Sequence, residues 1–137
     1  MKVMFDANIL LDVFQHRQPH YDASATCVNA VLRGALEGYI PAHIATTFYY
    51  VLAKYRDEQT ARDALHRLLR HFTVAPCDHA MLQEALACAL PDFEDAVVYV
   101  SAYRAGCVCI VTRNPNDYIQ ETLRIVSPQA LINEQGL

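Results

Sequence analysis

Apolar residues recur along this chain with two different periods. Four short runs are apolar at most positions, VMF (3–5), GYIPA (38–42), FTVAPC (72–77) and CVCIVT (107–112), and RIVS (124–127) offers a fifth, shorter candidate. Runs of this kind predict strands buried on both faces. Between them, apolar residues return every three or four positions, the spacing of a helix with one buried face. The segment NILLDVF predicts a short helix directly after the first strand. Asp22 is placed to cap a second helix, carrying Cys27, Val28, Val31, Leu32, Ala35 and Leu36 on one side and ending at Gly38. HIATTFYYVLAKY and the stretch from Asp57 to His71 predict two more. Asp78 can cap HAMLQEALACAL, and Asp92 starts FEDAVVYVSAYRA, which ends near Gly106. RNPND is a turn by composition, and Pro128 opens a final helical turn, PQALI.

The resulting order is β-α-α-β-α-α-β-α-α-β-(β)-α. Strands that alternate with helices predict an α/β fold of three layers, with helices on both faces of a central parallel sheet of four to five strands. No repeat or linker interrupts it, and 137 residues suit one domain spanning 1–137.

Composition narrows the picture. The net charge of −4 argues against a surface coated in basic residues for nucleic acid, while leaving room for a local basic groove. The five cysteines, Cys27, Cys77, Cys88, Cys107 and Cys109, are odd in number and form no C-x-x-C pair. They read as small core residues, with Cys107 and Cys109 on one face of a strand, and fit a reducing cytoplasm. Asp6 interrupts the first apolar stretch, so no secretory segment is expected, and no uncharged apolar run is long enough to span a bilayer.

The polar residues at the predicted strand ends carry the candidate chemistry. In open α/β sheets, ligands gather outside the carboxyl ends of the strands. FDAN places Asp6 and Asn8 after the first strand, AHIATT places Thr46 and Thr47 after the second, and VTRNPND places Thr112, Asn114 and Asp117 after the fourth. PDFEDA starts a helix on the same side with Asp92, Glu94 and Asp95. Each acid has a local explanation as a cap or turn residue. Together they predict convergence of Asp6, Asp95 and Asp117. Two carboxylates about 4 Å apart repel by about 4 kcal/mol at an effective dielectric near 20, against a total stability of about 5–15 kcal/mol. The carboxylates therefore either sit farther apart, or are in part protonated, or are held by a cation, for which a hard divalent ion with oxygen ligands is the natural choice.

Three segments in this order, FDANILLDVF, PDFEDAVVYVSAYRAGCVCIVTRNPNDY and VSPQALI, resemble the PIN-domain family, in particular its bacterial branch related to VapC-type toxins. The resemblance implies a PIN-like fold and a metal-dependent ribonuclease that hydrolyses RNA phosphodiesters, as the toxin of a toxin–antitoxin pair. It implies Asp6, Asp95 and Asp117 as catalytic residues and ligands of one or two Mg²⁺ or Mn²⁺ ions around an attacking water. Asn8 would orient Asp6, and Thr112 and Asn114 would shape the station after the fourth strand. Many family members carry an acid where this chain has Thr47, and some carry a further Asp near Asn114. Glu94 could compensate, although its neighbour Asp95 points elsewhere on a helix. The shortfall supports a second reading, a catalytically weak or inactive scaffold that binds RNA or a protein partner.

Candidate RNA contacts are Arg113, beside the fourth station, and Arg62 and Arg70, which share a helix face with His66, opposite Ala61, Leu65, Leu68, Leu69 and Phe72. Phe48, Tyr49, Tyr50 and Tyr55 either pack or pave a groove for an antitoxin helix or a homodimer seam. No histidine spacing argues for zinc. Two other folds that end a strand in a catalytic Asp, haloacid-dehalogenase-type phosphatases and receiver domains, expect a late lysine, and the lysines here are Lys2 and Lys54 alone.

Overall fold

The computed structural model describes residues 1–118 and 122–137; the side chain of Asp117 also lies outside what it describes. Its elements are β1 (Lys2–Phe5), α1 (Ala7–Phe14), α2 (Tyr21–Leu32), β2 (Glu37–Pro41), α3 (Ala42–Tyr55), α4 (Glu58–His71), β3 (Phe72–Ala75), α5 (His79–Ala87), α6 (Phe93–Arg104), β4 (Cys109–Val111), β5 (Arg124–Val126) and α7 (Pro128–Gln135). A 3-10 turn, Pro115–Asp117, lies between β4 and β5. The five strands form one parallel sheet in the order β3-β2-β1-β4-β5.

Alternation along the strands divides the core between two faces. Val3 and Phe5 of β1, with Cys109 and Val111 beside them in register, pack under α1, α2, α3, α4 and α7. Met4 and Ile110 point the other way, toward Val98 and Ala102 of α6. The α5 helix packs outside α6 through Met81 and Ala85. Edge-on aromatic pairs, Phe5 with Phe72 and Phe14 with Phe48, join sheet and helices on the larger side.

Several details depart from the pattern-based reading. The second helix begins at Tyr21, so Asp22 lies inside its first turn and His20 holds the cap position without a side-chain hydrogen bond. That helix stops at Leu32. Gly34 takes φ +79°, and the N–H groups of Gly34 and Ala35 close back onto the carbonyls of Val31 and Ala30. Gly38 belongs instead to β2, where it lets the Phe72 ring approach: a Cβ there would lie 2.6 Å from that ring and 2.8 Å from Val31. Gly38→Ala is therefore expected to cost about 1–3 kcal/mol through overpacking, read as a lower urea midpoint with an unchanged slope. Cys107 and Cys109 face opposite sides of the sheet, because Cys107 precedes the strand and strand alternation does not reach it. All five cysteines are free, and burial pushes Cys27 up to about 12 and Cys107 and Cys109 up to about 11. On α4 the buried stripe runs through Ala61, Ala64 and Leu68, leaving Leu69 at its edge 48% exposed. The α7 helix extends to Gln135, well beyond one turn. No helix among the described residues is long and apolar enough to cross a membrane.

Candidate active site

The chain builds outward from β1 to one edge of the sheet through β2 and β3, then returns to the other side of β1 to add β4 and β5. The reversal leaves a crevice outside the carboxyl ends of β1 and β4. Asp6 follows β1 directly, and Thr112 follows β4. Backbone bonds hold both in place: the N–H of Asp6 donates to the Val111 carbonyl at 3.1 Å, and that of Thr112 to the Val126 carbonyl at 3.0 Å.

Asp6 is both the N-cap of α1 and the centre of a polar cluster. Its Oδ1 accepts from the Ala7 N–H at 2.7 Å. Its Oδ2 accepts from the Thr112 hydroxyl at 2.8 Å and from the Asn8 amide at 3.4 Å. The Arg113 N–H donates to Asn8 Oδ1 at 3.5 Å, and the Asn114 N–H donates to Thr112 Oγ1 at 3.3 Å. Thr112 is fully buried. Burial raises the Asp6 carboxyl above its ordinary value; the bonds from Thr112 and Ala7, and more weakly the charges of His43 and Arg113, act against it.

Asp6, Asn8, Asp92, Glu94, Asp95, Thr112, Asn114 and Tyr118 line a cleft of about 360 Å³ together with Arg17. Asp92 caps α6 by accepting from the Asp95 N–H at 2.9 Å, which sets the first turn of that helix, and with it Glu94 and Asp95, against the strand ends. Both Glu94 and Asp95 line the cleft, although they are consecutive on a helix. The Tyr118 phenol is buried beside them; burial, then the charges of Asp6 and Asp95, raise its pKa well above the ordinary value. Asp117 precedes it in the 3-10 turn, and its carboxylate lies outside the described residues. Among the described residues no three His, Cys, Asp or Glu side chains form a ligand cluster.

The remaining candidates lie elsewhere. Thr47 turns its hydroxyl to the His43 carbonyl at 3.2 Å and does not line the cleft. Arg113 is taken up by Asp12, whose fully buried carboxylate lies 3.0 Å from its Nε and accepts from the Ser24 hydroxyl at 3.1 Å. Arg62 stacks over the Tyr49 ring, and Arg70 lines a separate groove of about 470 Å³ between α2 and α4 that no carboxylate lines.

Two residues belong to this region that sequence pattern alone does not mark. The His43 imidazole lies 3.9 Å from Glu94; burial lowers its pKa, while Glu94 and Asp6 pull it upward. Arg17 falls in the polar break QHRQPH, which signals a loop and gives no hint that the loop folds back to the acids.

A family model for the PIN domain matches residues 2–116. The chain belongs to the PIN-domain family. Ribonuclease VapC1 of Aquifex aeolicus (strain VF5) is 25% identical over 122 residues, covering 85% of this chain and 84% of that protein. Among solved structures, a toxin–antitoxin complex from Klebsiella pneumoniae matches with a TM-score of 0.71 at 22% identity, covering 92% of this chain and 97% of the other. VapBC2 from Rickettsia felis, bound to a DNA fragment from its promoter, matches with a TM-score of 0.69 at 12% identity, covering 93% and 98%. At these identities the structural matches establish the three-layer PIN fold, and the cleft at the carboxyl ends of β1 and β4 is the feature of this PIN domain that holds its acids.

Proposed function

We propose that this PIN domain is a metal-dependent endoribonuclease, the toxin of a toxin–antitoxin pair. The observation that carries the reading is Asp6: a carboxylate held by three donors, buried enough to raise its pKa, and in no ion pair among the described residues. Burying a lone negative charge is unfavourable, and a cation is the simplest remedy. The surrounding donors, Asp95, Glu94, Asp92, Asn8, Asn114 and Thr112, are all oxygen or amide groups. Such a set suits Mg²⁺ or Mn²⁺ and does not suit a soft metal. Asp6 and Asp95 would hold the ion, with Asp117 as the third carboxylate. A bound divalent cation supplies Lewis-acid activation of water and charge neutralisation at a phosphodiester.

The protein's own contribution is orientation. Thr112 and Asn8 fix the Asp6 carboxylate, and the Asp92 cap fixes the turn that carries Asp95. The curated relative named as a ribonuclease supports RNA as substrate, and the structural neighbours that are toxin–antitoxin complexes support an antitoxin partner.

A second reading, the scaffold of weak or absent activity, is favoured by Thr47, whose hydroxyl serves its own helix and brings no fourth acid to the cleft. An RNA cleavage assay separates the two. The nuclease reading expects fragments with 5′-phosphate ends in Mn²⁺ and none after EDTA. Intact RNA that nevertheless binds would favour the scaffold.

A further inference from the structure

We infer that Arg17 is a contact for the phosphodiester backbone of the substrate at the acidic cleft, an inference that rests on the ribonuclease reading above. A cleft lined by Asp6, Asp92, Glu94 and Asp95 repels a polyanion unless positive charge stands nearby. Among the described residues, Arg17 is the one lysine or arginine that lines it, and none of the ion pairs formed there involves Arg17. Arg113, nearer in sequence to the fourth strand's end, is committed to Asp12.

The backbone presents Arg17 deliberately. Helix α1 ends with the N–H of His16 donating to the Val13 carbonyl at 3.4 Å and that of Arg17 to the Asp12 carbonyl at 3.0 Å. This is the two-bond helix stop in which the residue after the cap turns left-handed, normally a glycine. The same stop closes α2 with Gly34 and α6 with Gly106, but α1 uses His16 at φ +53°. A non-glycine residue there is uncommon and costs local strain. The His16 ring stacks on Tyr21 with centroids 3.6 Å apart, which holds the turn. Asp12 thus anchors both arginines, Arg17 through its carbonyl and Arg113 through its carboxylate. A guanidinium brings a planar fork of donors that matches a phosphate.

Binding of a fluorescein-labelled single-stranded RNA of mixed sequence, measured in Mg²⁺ at several salt concentrations, tests this. The non-cleaving Asp6→Asn protein serves as the parent. Arg17→Ala keeps the backbone bond to Asp12, so its melting temperature should match the parent's. It should bind about tenfold more weakly, the scale of one lost charge-assisted bond, and reduce the slope of log K against log salt by about 0.7. Arg17→Lys should restore the slope and only part of the affinity. Unchanged affinity and slope in Arg17→Ala, with the loss appearing in Arg62→Ala instead, overturns the inference and leaves the ribonuclease reading intact. No cleavage by the wild type and no binding by the parent would overturn both.

Discussion

Replacing Asp6 by Asn is expected to abolish RNA cleavage while leaving the melting temperature at neutral pH unchanged or higher. Both halves follow from the same carboxylate. Removing one fixed electrostatic group from a catalytic centre typically costs roughly 10²–10³ in rate, and Asp6 is the group onto which Thr112, Asn8 and Ala7 all converge. The local fold survives, since Asn is as good an N-cap as Asp and the Asp6 cap on α1 needs one oxygen. Burial raises the Asp6 pKa above its ordinary 3.8 in the metal-free chain. A folded-state pKa above the unfolded value stabilises fully below the unfolded value, and that contribution is lost as pH rises through the folded value. At neutral pH the ionised carboxylate therefore weakens the metal-free fold, and a neutral amide removes that cost. Any gain in melting temperature should shrink as the pH falls toward the carboxyl range, where Asp6 is itself neutral. Thermal melts of both proteins from pH 7 downward, with cleavage assayed in parallel, check the two halves separately.

The largest expected effect on stability belongs to Asp12. Asp12→Ala leaves Arg113 and the Ser24 hydroxyl without the carboxylate both now approach. Breaking one partner of a buried pair costs about 3–5 kcal/mol. Arg113 retains some access to solvent, its side chain being 26% exposed, so the loss should fall near 3 kcal/mol and lower the melting temperature by on the order of 10 °C. The double variant Asp12→Ala/Arg113→Ala should lose less than the sum of the two single losses, because the second substitution removes the charge the first left stranded. Strict additivity in urea unfolding would show that the pair is not coupled. Asp12 also holds Arg113, whose N–H donates to Asn8 of the cleft, so cleavage should weaken in Asp12→Ala even where the protein remains folded.

The order of strands and helices was legible because buried parallel strands are short and apolar while amphipathic helices keep a 3.6-residue period. Parallel topology gathers strand ends and helix starts on one side, which is why Asp6, Asp95 and Asp117 were expected to meet; Asp6 and Asp95 line one cleft, while the Asp117 side chain lies outside the described residues. Details that depend on packing were not legible. Gly34 and Gly38 both punctuate the same region, and only the tertiary contact between Gly38 and the Phe72 ring shows that the second serves the sheet. The stop of α1 and the position of Arg17 after it carry no sequence signal, because the left-handed residue is His16 where such stops normally have glycine. Arg113 stood beside the cleft in sequence, but its partner Asp12 lay among the apolar positions of ILLDVF, where nothing local marks a buried ion pair.

The cleft acids are expected to hold a divalent cation. Melting temperature under Mn²⁺ titration, wild type beside Asp95→Asn, is the most direct measurement. A ligand that binds the folded state alone raises stability by mass action, so the wild type should climb steadily with Mn²⁺ and the variant should stay flat. Equal climbs in the two proteins, or a wild type that Mn²⁺ leaves unmoved, would contradict it.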